Sequence, residues 1–158
     1  SSLDFRGPGA RPGDNESVAL WNPDWKVTCS PFEGAPKKLV DYAGRRNVLM
    51  THPLNKTTPA ALERTIQVPK TEHSVLRFAV ASDDKGDWEL RVLVNEKLIE
   101  KRLVNAEGER WKQISVDLGS YAGQSIRLRL ENAANDWSYE FGYWSDLQLT
   151  SSELRAAK

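Results

Sequence analysis

The chain has 158 residues, a length at which a single domain buries roughly 68–70% of its unfolded surface and folds without disulfide or metal staples. Hydrophobic residues make up 39% and charged residues 28%, which excludes a disordered or fibrous chain. The 22 Lys and Arg balance 22 Asp and Glu, so the basic excess that draws a protein to nucleic-acid phosphates is missing.

In chain order, residues 1–24 contain the Gly- and Pro-rich run RGPGARPGDNE and read as an irregular lead-in or a linker. A first strand is expected from Trp25 in WKVTC. Cys29 is the single cysteine, so no intrachain disulfide forms, and VTCSPF reads as a strand end carrying a small hydrophobe. A nucleophilic thiol would need a positioned base, for which only His52 and His73 are available. The loop SPFEGAPKK leads into two short extended pieces, LVDY and NVLMTHPL.

From Ala60 onward the side chains alternate. Leu62, Ile66 and Val68 share one face before Pro69 ends the run. Leu76, Phe78 and Val80 follow, then Trp88, Leu90, Val92 and Val94. Asn95-Glu96-Lys97 turns the chain back into LIEKRLV as a hairpin. Ile114, Val116 and Leu118 come next, then Ile126, Leu128 and Leu130, and finally Phe141, Tyr143, Leu147 and Leu149. A period of two buries one face and wets the other, as in antiparallel sheets. The pattern predicts an all-β antiparallel sandwich of eight or nine strands over residues 25–150, with 151–158 as a tail. No run approaches the roughly 20 apolar residues that span a bilayer, and no basic amphipathic helix suits a membrane surface.

WKQISVDLGSYAGQSIRLRL, followed by the aromatic GYWSDLQL, resembles the galactose-binding-domain-like superfamily. Those domains are jelly-roll β-sandwiches and include many carbohydrate-binding modules and discoidin-type domains. The resemblance implies that LGSYAG, residues 118–123, is a corner between strands. Physical reasoning agrees, because Gly123 takes positive φ at no steric cost and Tyr121 can cap the core edge. No helix follows to make the turn a phosphate cradle. The ordered blocks GRRNVLMTHPL, ALERTIQVP, GDWELRVLVNEKLI, WKQISVDLGSYAG and GYWSDL, within 37–149, are similar to a domain appended to large exported bacterial proteins. That family is described as non-catalytic. The likeness implies an extracellular or periplasmic accessory module, whose partner is a carbohydrate or a neighbouring domain of the same chain.

Six Trp is many for this length, and the apolar C–H face of a sugar stacks on an exposed ring. Trp137 and Tyr139 lie in NAANDWSYEF beside Asn135 and Asp136, which would supply hydrogen bonds to a polyol. The competing reading makes Trp137 a lid on the sandwich end. Trp21 and Trp25 flank WNPDW with the same two readings. Trp88 shares the parity of Leu90 and belongs in the core, Trp111 is expected to cover a sheet edge, and Trp144 falls outside unless a bulge intervenes. SDDKGDW reads as a turn with solvated charges. The superfamily often holds a structural Ca²⁺ with an acidic residue in the last strand, which makes Asp146 the metal candidate. Its alternative is a cross-strand pair with Arg127 or Arg129. Arg77, Arg91, Arg127 and Arg129, with Glu89 and Glu131, are expected on wet strand faces. No HExxH, GxSxG or P-loop pattern appears, so the expected function is non-catalytic carbohydrate binding, with a structural or protein-docking domain as the alternative.

Overall fold

The computed structural model describes residues 14–153. A short helix, α1 (Asp14–Trp21), precedes ten strands: β1 (Lys26–Thr28), β2 (Lys37–Tyr42), β3 (Arg45–Thr51), β4 (Ala60–Gln67), β5 (Glu72–Ser82), β6 (Trp88–Val94), β7 (Lys97–Val104), β8 (Lys112–Asp117), β9 (Ser125–Ala133) and β10 (Gly142–Glu153). Every extended segment read from the sequence forms a strand, so the total exceeds the eight or nine expected. The strands make two five-stranded antiparallel sheets, in the orders β1-β4-β9-β6-β7 and β2-β3-β10-β5-β8. At one end β10 runs three residues past 150. At the other, α1 lies inside the stretch expected to be irregular. The breakers stop at Gly13, no Gly or Pro interrupts 14–22, and Val18 and Trp21 enter the core. Mutual hydrogen bonds between Trp21 and Asn47 fasten this helix to β3.

The two-residue period sets the core. In the first sheet Leu62 faces Leu130, which faces Val92; in the second, Phe78 faces Ile114 and Leu76 lies between Val116 and Leu149. The inner faces meet around Trp88 and Trp144, whose ring centroids are 5.3 Å apart. On the wet face of the first sheet, Glu63, Arg129, Glu131, Arg91 and Glu89 form a row of ion pairs. Arg77 is not part of that row. It sits on β5 in the other sheet, where it donates to Thr150.

The LGSYAG turn is a corner. Its short 3₁₀ segment Gly119–Tyr121 carries the chain from β8 in the second sheet to β9 in the first. Gly123 has φ +83°, and its N–H donates to the Val68 carbonyl at 2.9 Å. Tyr143 and Trp144 alternate with the parity opposite to that expected: Trp144 is fully buried between the sheets with Leu147, and Tyr143 is buried on the outer face. A bulge between Ser145 and Gln148, with Asp146 in the left-handed region at φ 55°, inserts the residue that brings Leu147 back to the core side.

The second sheet has apolar residues on both faces. Val48, Met50, Ala79, Ala81 and Tyr143 point away from the sandwich core and pack with Trp111, Tyr42 and Leu39. The small side chains of Ala79 and Ala81 leave room for rings, and Tyr42 stacks on Tyr143 at 3.8 Å with planes 9° apart. Trp111 covers this outer layer, as expected of a sheet-edge residue, and donates its indole N–H to the Ala43 carbonyl at 3.0 Å.

Candidate functional site

A cleft of about 840 Å³ opens on this outer apolar layer, beside the strand ends of β2 and β3. Its floor includes Leu39 and Met50. One wall comes from the loop between β1 and β2, through Ser30, Phe32, Glu33 and, at the start of β2, Lys37. The other is the loop between β9 and β10, through Trp137, Ser138, Tyr139, Glu140 and Phe141. His52, at the end of β3, lies between the two walls. Its ring is 5.0 Å from Phe32, 5.0 Å from Phe141 and 5.3 Å from Trp137, while Phe32 and Phe141 stack at 5.9 Å. The result is a continuous band of four rings.

The rings differ in what they offer. Trp137 is 45% exposed, Tyr139 49% and Phe32 52%, whereas His52 is buried. The His52 Nδ1–H donates to the Pro53 carbonyl at 2.8 Å, which fixes the tautomer and leaves Nε2 as an acceptor. Burial holds the imidazole pKa below its usual 6.5, so the ring is neutral at pH 7. Glu33 and Lys37 are the fixed opposite charges among the lining residues.

The loop carrying Trp137 and Tyr139 is braced from two sides. Glu140 is buried, and its two carboxylate oxygens accept the backbone N–H groups of Asn135 at 2.9 Å and Ser138 at 3.0 Å. Asp136 accepts the same Ser138 N–H at 3.2 Å, and the Asn135 side-chain amide donates to Asp87 at 3.1 Å. The turn before β6 packs from the other side: a Cβ added at Gly86 would lie 2.2 Å from the Tyr139 carbonyl oxygen. Lys85 reaches over the Tyr139 ring at 5.7 Å. Tyr139 itself is left-handed at φ 53°, a conformation that costs of order 1–3 kcal/mol for a residue with a side chain and persists only where surrounding contacts enforce it. Asp87, Asp136 and Glu140 bring ligand atoms within 4.8 Å of one another. Each of the three carboxylates accepts at least one backbone or amide N–H, so the trio braces the loop. Burial and Asp136 push the Glu140 carboxyl up to about 7.

The sequence-derived site divides accordingly. Trp137 and Tyr139 line the cleft. Asn135 and Asp136 belong to the same loop but brace it, and do not line the cleft. Trp21 and Trp25 correct the expectation: at 6% and 3% exposure they are core residues, and the four aromatics do not gather at one end. Their burial leaves no ring face for a ligand. Asp146 stands apart on the β10 bulge, where its carboxylate meets the Arg45 guanidinium at 2.5 Å. The partner is Arg45 on β3 and neither Arg127 nor Arg129, because β9 lies in the opposite sheet. Phe32, His52 and Phe141 were not singled out by the sequence as site residues. The SPFEG and THPL segments are joined by the Ser30 N–H to the His52 carbonyl at 3.1 Å, a contact between distant parts of the chain that leaves no mark in the sequence.

Two groups weighed from the sequence for nucleophilic chemistry, Cys29 and His73, lie outside the cleft lining. Cys29 is buried, with its thiol directed at the Ser30 carbonyl at 3.3 Å. His73 pairs with Asp117 at 3.2 Å on the second sheet, away from the cleft-lining residues. Among the described residues, no helix is long and apolar enough to cross a membrane.

No family model matches the chain, and no curated protein does. Solved structures match well in shape. The CBM22-1 xylan-binding domain of Xyn10C from Paenibacillus barcinonensis superposes with a TM-score of 0.59 at 13% identity, over 85% of this chain and 89% of that one. A cyclase from Fischerella sp. TAU gives 0.56 at 13% identity, over 85% and 87%. An adhesin domain of Lys-gingipain from Porphyromonas gingivalis gives 0.56 at 12% identity, over 80% and 90%. At such identities the likeness speaks for shape alone, and the shape shared with these domains is the two-sheet β-sandwich.

Proposed function

We propose that this chain is a non-catalytic accessory module that binds a neutral carbohydrate in the cleft between the 29–36 and 134–141 loops. The observation that carries this reading is the exposed Trp137 ring, held against the band of His52, Phe141 and Phe32 at the mouth of a preformed cleft. The volume falls in the roughly 300–1,000 Å³ range of ligand pockets, and an apolar lining with a few placed polar groups is their usual make-up. Exposed rings supply flat surfaces for the C–H faces of a pyranose. The His52 Nε2 acceptor, the Ser30 and Ser138 hydroxyls and the Lys37 ammonium supply partners for ring hydroxyls. Glu33 and Lys37 offset each other, so the cleft has no cationic surplus to select uronic acids.

The shape likeness to a xylan-binding domain supports the same reading, as does the likeness to an adhesin domain for an appended role in an exported protein. An enzymatic reading has less support. Glu140 is held by two backbone N–H groups in a bracing role, and Asp136 beside it does not line the cleft. The protein-docking alternative has less support as well: the exposed Leu98 and Leu103 lie on edge strand β7 among Lys97, Lys101 and Arg102, charges that discourage edge pairing.

Affinity gel electrophoresis tests the proposal with soluble xylan, mixed-linkage β-glucan and galactomannan in separate gels. Retardation in at least one of them, abolished by Trp137→Ala, is the expected result. Equal mobility of wild type and Trp137→Ala in all three would contradict it.

A further inference from the structure

Trp137 and Tyr139 reach the cleft from an irregular segment, and a platform for a ligand must be held in place before the ligand arrives. Within that segment three features converge on one carboxyl. Glu140 is buried yet receives the N–H groups of both Asn135 and Ser138, one on each side of Trp137. Asp136, the residue before Trp137, places its carboxylate beside that of Glu140, with Asp87 from the turn before β6 completing a trio within 4.8 Å. Gly86 of the same turn abuts the Tyr139 carbonyl, so the loop cannot shift toward the first sheet without displacing that turn.

We propose that Glu140 is the positioning residue of the binding loop, holding Trp137 at the cleft through its two backbone hydrogen bonds, with the carboxyl of Asp136 set beside its own. The role of Trp137 as ligand platform rests on the function proposed above; its positioning by Glu140 does not.

The electrostatics follow from the neighbours. Asp136 faces Glu140 from its own loop and Asp87 faces it from the turn before β6, while Lys85 of that turn is engaged over the Tyr139 ring. From β3 comes His52, which burial keeps neutral at pH 7, and Glu33 and Lys37 border the same cleft from the β1–β2 loop and the start of β2. With Glu140 protonated, it adds no negative charge beside Asp136. Loss of that proton leaves adjacent carboxylates in a desolvated place, where they repel. The movable member is Asp136, and Trp137 moves with it.

Nitrogen-15 indole NMR of the ligand-free protein reads this directly, with the Trp137 Nε1–H signal assigned by its loss in Trp137→Phe. Between pH 5.5 and 8.5 the Trp137 signal should shift or broaden with a midpoint near 7, where Glu140 titrates, while those of the core residues Trp88 and Trp144 stay fixed. Glu140→Gln, which cannot lose a proton, should abolish this step and leave the separate, more acidic His52 step in place. Asp136→Asn, a second variant in case the first does not fold, should flatten the Trp137 step, because the carboxylate that an ionised Glu140 would repel is gone. A Trp137 signal that stays constant in wild type, or a neutral-pH step that survives in Glu140→Gln, would overturn the assignment. These outcomes need no ligand, so failure of the protein to bind any polysaccharide would overturn the proposed function without bearing on the clamp.

Discussion

The imidazole of His52 stands edge-on to the indole of Trp137, with ring centroids 5.3 Å apart and planes at 80°. His52 thus backs the exposed ring and also offers an acceptor to the cleft. His52→Phe keeps the aromatic contact but deletes that acceptor and orphans the Pro53 carbonyl. Isothermal titration calorimetry with a polysaccharide that retards the wild type should show weakening of about tenfold, consistent with one hydrogen bond of ~1.4 kcal/mol. Denaturant unfolding should show a loss of about 1–3 kcal/mol for the unpaired carbonyl.

Two tryptophans separate site from scaffold. Trp25→Ala removes a ring buried in the core and should destabilise the fold by about 3–5 kcal/mol. Trp137→Ala, at the cleft mouth, should cost about 1 kcal/mol or less, as exposed substitutions usually do, yet abolish gel retardation. Comparing chemical denaturation with retardation for the two variants checks this. A large stability loss in Trp137→Ala would make that ring a lid on the core.

Gly86 is set by contact and not by backbone conformation. A methyl group there meets the Tyr139 carbonyl oxygen at 2.2 Å and the Ser138 carbonyl at 2.7 Å. Gly86→Ala should lower stability by about 1–3 kcal/mol through overpacking and shift the Tyr139 and Trp137 NMR signals, while those around the LGSYAG corner remain in place.

Glu140 also links the clamp to stability. Its folded-state pKa stands near 7 against an ordinary 4.5. The folded protein therefore binds more protons than the unfolded chain between those values, and stability falls as pH rises through that window. Glu140→Gln lacks this dependence. The free-energy difference between variant and wild type should shift in the variant's favour from about pH 4.5 to 7 and level off above it. His52 acts in the opposite sense: its lowered pKa makes stability fall as pH drops below about 6.5, in both proteins alike. Urea titrations across pH 4.5–8.5 separate the two, and a difference that does not vary with pH would contradict the assignment.

The sandwich was legible because a period of two is a local signal. Leu76, Phe78 and Val80, or Leu90 and Val92, declare their face without reference to the rest of the chain. Trp144 shows where that signal ends. Its burial depends on an extra residue at Asp146, and a bulge leaves no mark in alternation. Trp21 and Trp25 were equally opaque, since WNPDW looks the same whether its rings close a core or meet a ligand. A helix at 14–21 and its hydrogen bonds to Asn47 decided the matter. Trp137 and Tyr139 stood out because polar neighbours surround them. Phe32, His52 and Phe141 did not, because the cleft forms only when the 29–36 and 134–141 loops meet over β3 and the outer apolar layer of the second sheet.

The most direct test of the cleft as binding site is a nitrogen-15 NMR titration of the wild-type protein with soluble oligosaccharides from whichever polysaccharide retards it most. The account predicts saturable shifts concentrated at Phe32, His52, Trp137, Ser138 and Phe141, with the charged outer face of the first sheet unaffected. Shifts centred on that charged face or on the LGSYAG corner, with Trp137 unmoved, would contradict it.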